Sequence, residues 1–113
     1  MDPIHDYERR YRELTEQVGA LGFVSEGTLV HRYTTCGKPT CRCQTDPDQR
    51  HGPYWQWTRK VDGKTVTRRL SPAEATLYEN WISNGRRLEE LVRQMRNLSR
   101  EAGEILLRDA RDS

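Results

Sequence analysis

The dipeptide Asp62-Gly63 constrains the fold of this chain more than any other feature of its sequence. It separates two short runs of β-forming residues, YWQWTRKV (54–61) and KTVTRRL (64–70). A two-residue hairpin turn of type I′ needs positive φ at both central positions, and Asp-Gly is one of the dipeptides that adopt this conformation readily. The sequence therefore predicts an antiparallel hairpin whose register is set by the turn.

This register gives the hairpin two chemically different faces. Val61 is expected to lie opposite Lys64, and Trp55 opposite Leu70. One face then carries both tryptophans of the hairpin and its large apolar residues, so we expect it to pack on a helix. The opposite face is polar and stays free for a partner. Its residues are Tyr54, Gln56, Thr58, Lys60, Thr65, Thr67 and Arg69.

Patterns outside the hairpin predict a third strand and two helices. The segment TLVHRYT (28–34) is rich in β-forming residues and is expected to complete a three-stranded antiparallel sheet. Apolar residues recur every three or four positions from Ile4 to Leu21, which predicts an amphipathic helix over about residues 3–21. The predicted fold class is α+β, with an N-terminal helix in residues 1–22, a β module in 27–70 and a long C-terminal helix in 71–113.

The long helix is predicted to begin at Ser71, the N-cap of a capping box with Glu74. It carries a line of residues at heptad spacing, here called the seam. The seam consists of Leu77, Trp81, Asn84, Leu88, Leu91, Met95, Leu98, Ala102 and Ile105. About 38 helical residues span roughly 57 Å, twice the roughly 29 Å of the first helix. We expect the first helix to pair antiparallel with the early part of the seam.

The later part of the seam then lacks a partner within the chain. We expect a second copy of the chain to cover it as a coiled coil, which predicts a homodimer. The residues expected at this dimer or partner surface are Leu88, Leu91, Met95, Leu98 and Ile105. A frayed C-terminal tail is the alternative, and Gly103 favours it because glycine weakens helices.

Three cysteines lie close together in the segment CGKPTCRC (36–43). An odd number of clustered cysteines favours a metal site over a disulfide framework. Thiolates and imidazoles are the ligands that structural zinc prefers. The predicted structural zinc site, a Cys/His knuckle, consists of Cys36, Cys41, Cys43 and His51. His31 is an alternative fourth ligand, and three reduced structural thiols without a metal are the other interpretation.

Positive charge is concentrated in the β module. Residues 27–70 contain nine Lys and Arg residues against three Asp, whereas the whole chain carries a net charge of only +2. This concentration predicts that the hairpin and knuckle bind a polyanion, and we expect duplex DNA. The predicted nucleic-acid-binding residues are Lys38, Arg42, Gln56, Arg59, Lys60, Lys64, Thr65, Thr67, Arg68 and Arg69. A solvated hairpin whose charges prevent aggregation is the alternative.

Several other classes of protein are disfavoured by what the sequence lacks. No run of about 18 apolar residues predicts a membrane span. The N-terminal residues MDPIHD are acidic and include no apolar core, so we expect no secretory signal and a cytoplasmic protein. A Cys/His pair could form a nucleophile with its base, but no third orienting residue or Gly-rich phosphate loop is evident. We therefore expect a protein without enzymatic activity.

The β module also carries a resemblance to other proteins. The sequences GTLVHRYTTCGKPTCRC (27–43), HGPY (51–54) and VDGKT (61–65) together resemble a widespread family of small bacterial proteins. The features that this chain has in common with that family are a G-x-L-V-x-R-Y-x-x-C-G-K-x-x-C-x-C core, an H-G-P-Y motif and a V-x-G-K-T hairpin. Its members are often encoded beside transposases or site-specific recombinases, so the resemblance implies an accessory role in a mobile element.

Two functions from different classes are therefore expected of this chain. The first is a small DNA-binding accessory protein, associated with the nucleoid, that assists or regulates transposition or recombination beside a transposase or recombinase. The second is a protein–protein adaptor that recruits a larger enzyme through its coiled-coil helices. Salt dependence separates them, because binding through several phosphates weakens steeply as salt rises.

Overall fold

The computed structural model describes residues 2–112, and its element order confirms the α+β class. The elements are α1 (Pro3–Gly19), β1 (Thr28–Thr34), β2 (His51–Val61), β3 (Lys64–Leu70) and α2 (Pro72–Arg111), with short 3₁₀ helices at Arg42–Gln44 and Pro47–Gln49. The chain divides into two compact units. The helical unit contains the residues up to Val24 and those from Asn84 onward, and the β unit contains Ser25–Ser83. None of the described helices is both long enough and apolar enough to span a membrane.

The hairpin has the register that its turn predicts. Val61 lies opposite Lys64 and Trp55 lies opposite Leu70 in the antiparallel β2–β3 pair. Asp62 and Gly63 have φ angles of 50° and 78°, as a type I′ turn requires. β1 pairs antiparallel with the other edge of β2, which gives the strand order β1-β2-β3. β2 is longer than the sequence predicts, because it begins at His51 and not at Tyr54.

The core of the β unit forms around Trp57, on the face of the sheet that was expected to pack on a helix. Trp57, Leu70, Ala75 and Ile82 are buried together. The Trp57 ring lies 4.1 Å from that of Tyr78 between centroids. The first turns of α2 therefore cover this face, which is here called the inner face of the sheet.

A close approach of the chain to Trp57 explains the glycine that precedes β1. Gly27 has a φ of +101°, and a Cβ atom there would collide with the backbone carbonyl of Thr58 and lie 2.8 Å from Trp57 Nε1. Only glycine avoids both the steric clash and the strained backbone. Beside it, Trp57 Nε1 donates a hydrogen bond to the Glu26 carbonyl at 2.8 Å.

The capping box that starts α2 is formed as predicted. The Glu74 backbone N–H donates to Ser71 Oγ at 3.2 Å, and the Ser71 backbone N–H donates to Glu74 Oε1 at 3.0 Å. This second hydrogen bond is the main reason that the pKa of the Glu74 carboxyl lies below its usual value. α2 continues as one helix through Asn84, whose side chain donates to the Phe23 carbonyl at 2.9 Å within the helical unit.

The predicted seam is wrong in the first two turns of α2. Leu77 is 50% exposed, whereas Ala75 and Ile82 are buried against the sheet and Tyr78 packs beside them. The sheet covers the helix face of Ala75, Tyr78 and Ile82, which does not include Leu77. The buried face differs from the predicted seam here because this part of α2 packs on the sheet and not on a second helix.

The pairing of the two helices also differs from the prediction. Leu14 of α1 is buried with Leu91 and Leu98, which lie in the later half of α2. The partly buried residues of this cluster are Tyr7, Tyr11, Val18, Leu21 and Met95. The expectation that α1 covers the early part of the seam is therefore wrong, because the sheet already occupies that part of the helix.

This pairing changes the basis of the predicted homodimer. Leu91 is fully buried and Leu98 nearly so within a single chain, so these residues do not need a second copy to cover them. Met95 is packed against the same cluster, while Leu88 and Ile105 are half-buried. The exposed apolar residues at this end of α2 are Leu106 and Leu107. The homodimer itself stays a prediction.

We expect Leu91→Ala to destabilise the chain far more than Leu77→Ala, although both remove the same atoms from the same helix. Loss of the buried side chain leaves a cavity and lowers the free energy of unfolding by about 2–5 kcal/mol. Leu77→Ala, at a half-exposed helical position, changes it by about 0.5 kcal/mol or less. Urea unfolding followed by circular dichroism measures both, and equal losses would contradict the packing described above.

Candidate metal centre

The four predicted zinc ligands converge at one end of the sheet. Cys36 follows β1 closely, and His51 is the first residue of β2. The pairing of Thr34 with His51 brings these two chain segments together. Cys43 lies in the 3₁₀ helix Arg42–Gln44, and Cys41 is its N-cap residue. The sheet and this helical turn therefore position ligands that are as many as fifteen residues apart in the sequence.

Two of the distances between the ligand atoms are close to those of a tetrahedral metal site. The four atoms all lie within 4.8 Å of one another. Cys36 Sγ lies 3.5 Å from Cys43 Sγ, and Cys41 Sγ lies 3.5 Å from His51 Nε2. Bonds of about 2.3 Å to sulfur and about 2.1 Å to nitrogen would separate such atoms by about 3.8 Å and about 3.6 Å, respectively. The three cysteines are free thiols, so these four residues can bind a metal ion.

Hydrogen bonds give the thiols of Cys41 and Cys43 different acidities. The backbone N–H of Cys43, followed by the side chains of Cys43, His51 and Cys36, lowers the pKa of Cys41 to about 6. For Cys43, the hydrogen bond from the Cys36 backbone N–H at 3.2 Å lowers the pKa, but burial and the neighbouring thiols outweigh it. The pKa of Cys43 is therefore raised. Cys41 is thus available as a thiolate, the form of cysteine that binds metals.

Two neighbouring residues shape the site beyond the four ligands. Gly52 has a φ of +122°, and a Cβ atom there would lie 2.9 Å from the Arg32 carbonyl. Glycine at this position therefore lets the start of β2 lie against β1, which places His51. The Gln44 side chain donates a hydrogen bond to the Cys36 carbonyl. Gln44 is not identifiable from the sequence, since a single glutamine in a polar loop carries no signal of its own.

His31, the alternative fourth ligand, lies outside the cluster. Its ring stacks on that of Trp55, with centroids 4.3 Å apart and planes inclined by 8°. Because His31 lies opposite Trp55 in the β1–β2 pair, its side chain is on the inner face of the sheet. His51 is the histidine that joins the cysteines.

The hairpin register divides the predicted nucleic-acid-binding residues between the two faces of the sheet. The face opposite the inner face, here called the outer face, carries Gln56, Lys60, Thr65, Thr67 and Arg69. The inner face carries Arg59, Lys64 and Arg68. Lys38 and Arg42 are exposed in the loop that contains the cysteines. Only some of the residues that the sequence predicts to bind nucleic acid therefore lie on one surface.

Two of the inner-face cations lie near groups of the β unit itself. The Arg59 guanidinium lies 3.9 Å from the centroid of the Trp57 ring, and its Nη1 atom is buried without a hydrogen-bond partner among the described residues. Arg68 lies near Glu74, where its charge adds to the hydrogen bonds from Ser71 in lowering the carboxyl pKa. Arg59 therefore lies against the core of the β unit, and Arg68, although exposed, lies near the start of α2.

The outer face also includes residues of β1 that were not predicted from the sequence to belong to a site. Pairing with β2 places Thr28, Val30 and Arg32 on this face, with Arg32 opposite Tyr54. On the other side of Tyr54, the Arg69 guanidinium lies 3.8 Å from the ring centroid. Alternation along β1 could have assigned Arg32 to a face, but no tight turn joins β1 to β2 to set their register.

The cations of the outer face have no acidic neighbours on that face. Its ten residues are Thr28, Val30, Arg32, Tyr54, Gln56, Thr58, Lys60, Thr65, Thr67 and Arg69. Across residues 2–112, the ion pairs all join side chains within one helix, and none involves a residue of the sheet. The positive charges of Arg32, Lys60 and Arg69 are therefore not neutralised by carboxylates of the described chain.

Comparison with known proteins gives one match. A family model with the description "Domain of unknown function (DUF6788)" matches residues 4–79, which include nearly all of α1, the whole sheet and the first turns of α2. No curated protein and no solved structure matches the chain. The matched segment contains the Cys/His cluster and both faces of the sheet.

We expect His51→Ala to weaken metal binding while His31→Ala leaves it intact. Removing one of four ligands lowers the affinity for Co²⁺ by about ten-fold or more, since even partners outside the coordination sphere have effects of that size. Titration with Co²⁺, followed by thiolate-to-metal absorption, measures the affinity of each variant. The assignment of ligands fails if the two histidine variants bind Co²⁺ equally well.

Proposed function

Because the chain belongs to the family described as domain of unknown function (DUF6788), we propose its function from its own residues: it is a zinc-stabilised module that binds duplex DNA through the outer face of its sheet. The observation that carries the proposal is the outer face itself. This face is exposed to solvent, contains cations and hydroxyls, and has no acidic residue.

The chemistry of the ligand set supports zinc as the metal. Three thiolates and one imidazole favour a borderline-soft ion with tetrahedral geometry, which zinc satisfies. Cys36, Cys41, Cys43 and His51 would hold it, and four protein ligands leave no coordination position for water or a substrate. The proposed role is therefore structural. The ion would link the end of β1 to the start of β2 and order the loop between them.

The dimensions of the outer face suit the major groove. From Tyr54 to Lys60 the strand advances by six residues, or about 20 Å. The major groove is about 12 Å wide and admits a β-ribbon. The middle of the face, at Gln56 and Thr58, would then lie over base edges while its two ends reach the phosphate backbones.

Charge is distributed along the module in a way that supports this orientation. Lys60 lies at the turn end of the outer face. Arg32 lies toward the metal end, where Lys38 and Arg42 are exposed in the adjoining loop. Cations at both ends would contact the phosphates on either side of the groove, and such contacts set position and affinity.

A role in a mobile element follows as part of the same proposal. Its support is the resemblance of residues 27–70 to small bacterial proteins that are often encoded beside transposases or recombinases. On this proposal, the module binds DNA at or near the element, and its working partner is the transposase or recombinase.

One observation favours the second candidate function, a protein–protein adaptor. The helical unit has a groove of about 350 Å³ between α1 and the later half of α2. Tyr7, Tyr11, Ala102 and Leu106 are among the residues that line it. An apolar groove of this kind is typical of surfaces that receive a helix. Binding of a partner protein that is insensitive to salt, together with no affinity for DNA, would favour this candidate.

We expect the purified chain to contain one zinc ion per chain and to melt at a lower temperature after chelation. The ion is linked to the folding of the β unit, since its ligands come from separate segments. Cys43→Ser should lose the zinc, whereas Lys38→Ala, which alters the same loop but no ligand, should retain it. Metal analysis by mass spectrometry and thermal unfolding provide the measurements. A chain without stoichiometric zinc, or one whose unfolding ignores chelators, contradicts this part of the proposal.

We expect Arg32→Ala with Lys60→Ala to weaken binding to a random-sequence DNA duplex by at least about ten-fold at low salt. Each lost phosphate contact should also lower the slope of log K against log salt by about 0.9. The matched control is Lys64→Ala with Arg68→Ala, which removes the same two residue types from the inner face. Fluorescence anisotropy over a range of salt measures both pairs. If the two pairs lower affinity equally, the outer face is not the binding surface.

A further inference from the structure

We propose that Arg69, positioned by Tyr54, recognises a guanine in the major groove and so determines the sequence specificity of the module. This inference rests on the proposed DNA-binding function and adds which residue selects the base. It separates the cations of the outer face into one that contacts bases and others that contact phosphates.

Arg69 is stacked on Tyr54. The guanidinium carbon lies 3.8 Å from the centroid of the Tyr54 ring, which is the distance of a face-on contact. This contact occupies the flat face of the guanidinium and leaves the N–H groups at its edge available. Within residues 2–112, no hydrogen bond or ion pair uses the side chain of Arg69. Tyr54 is half-buried in the sheet and Arg69 is exposed, so the ring supports a guanidinium that faces solvent.

The edge of the Arg69 guanidinium that Tyr54 leaves available has donors that match guanine. A guanidinium presents parallel N–H donors that match two acceptors side by side. In the major groove, guanine offers such a pair through its N7 and O6 atoms, and arginine to guanine is the commonest specific contact. Adenine and cytosine each place an amino donor at the major-groove edge. Stacking on Tyr54 orients the guanidinium before DNA arrives, which reduces the entropy lost on binding.

Arg69 also differs in position from the other cations of the outer face. Its backbone lies directly opposite Gln56, one of the two central residues of β2 on this face, and its guanidinium lies over the next outer-face residue, Tyr54. Arg32 lies on β1 at the edge of the sheet, and Lys60 lies beside the turn. Neither of these cations is stacked on an aromatic ring among the contacts of the described residues. Their side chains can follow the phosphate backbone, whereas Arg69 must leave Tyr54 to do so.

The experiment is a selection from a pool of randomised DNA duplexes with the zinc-loaded full-length chain. We expect the wild type to enrich sites that share a G·C pair at one position. Arg69→Ala removes the paired donors, so the preference for guanine at that position should fall by about 5- to 150-fold, the range of one bidentate contact. Tyr54→Leu should lower the same preference, since it removes the support of the guanidinium. Arg68→Ala, the adjacent change on the inner face, should leave the selected site unchanged.

The outcomes distinguish this inference from the proposed function. If the wild type binds no duplex, both fail. If it binds duplexes but enriches no common G·C position, or if Arg69→Ala retains the guanine preference, the guanine contact is overturned while DNA binding stands. If Arg69→Ala weakens binding to all sequences equally and lowers the salt slope by about 0.9, Arg69 contacts a phosphate and the inference is overturned. Circular dichroism and the Co²⁺ spectrum of each variant show that its fold and metal site are intact.

Discussion

The burial of Trp57 is the interaction on which the rest of the β unit depends. Its ring packs on Tyr78 at the start of α2, and its indole N–H donates to the carbonyl of Glu26, just before β1. Arg59 covers the ring from the same strand, and Gly27 lets the chain pass close to it. A buried aromatic side chain contributes a large apolar area and a directional hydrogen bond at once. One residue therefore links the sheet, the helix and the segment that enters the sheet.

Because α2 packs on the inner face of the sheet, the outer face is the side that remains available to a partner. Once α2 covers one side of the sheet, the cations that alternate with the core residues are left on the other side, where Arg32, Lys60 and Arg69 meet no carboxylate. The Cys/His cluster lies at the end of the same sheet, in the loop from β1 to β2. The sheet thus supports two features, a Cys/His cluster that can bind a metal ion at one end and a charged face along its length.

The accuracy of the sequence predictions depended on how local the interactions were. The Asp62-Gly63 turn and the capping box at Ser71 act between residues a few positions apart, and both formed as predicted. The heptad seam of α2 identified a helix with an apolar side but not its partners. The early part of α2 packs on the sheet through Ala75 and Ile82, and its later part packs on α1 through Leu91. Spacing alone cannot say which element covers which stretch of a long helix.

By itself, the sequence determined the class of the fold, the hairpin register and the three cysteines of the Cys/His cluster. These follow from turn geometry, capping chemistry and the scarcity of soft ligands elsewhere in the chain. Only the tertiary structure decided that His51 and not His31 joins the cysteines, and that Arg32 shares a face with Arg69. Both outcomes depend on the pairing of β1 with β2. That pairing is set by packing around Trp57 and by contacts between distant residues, which no local pattern specifies.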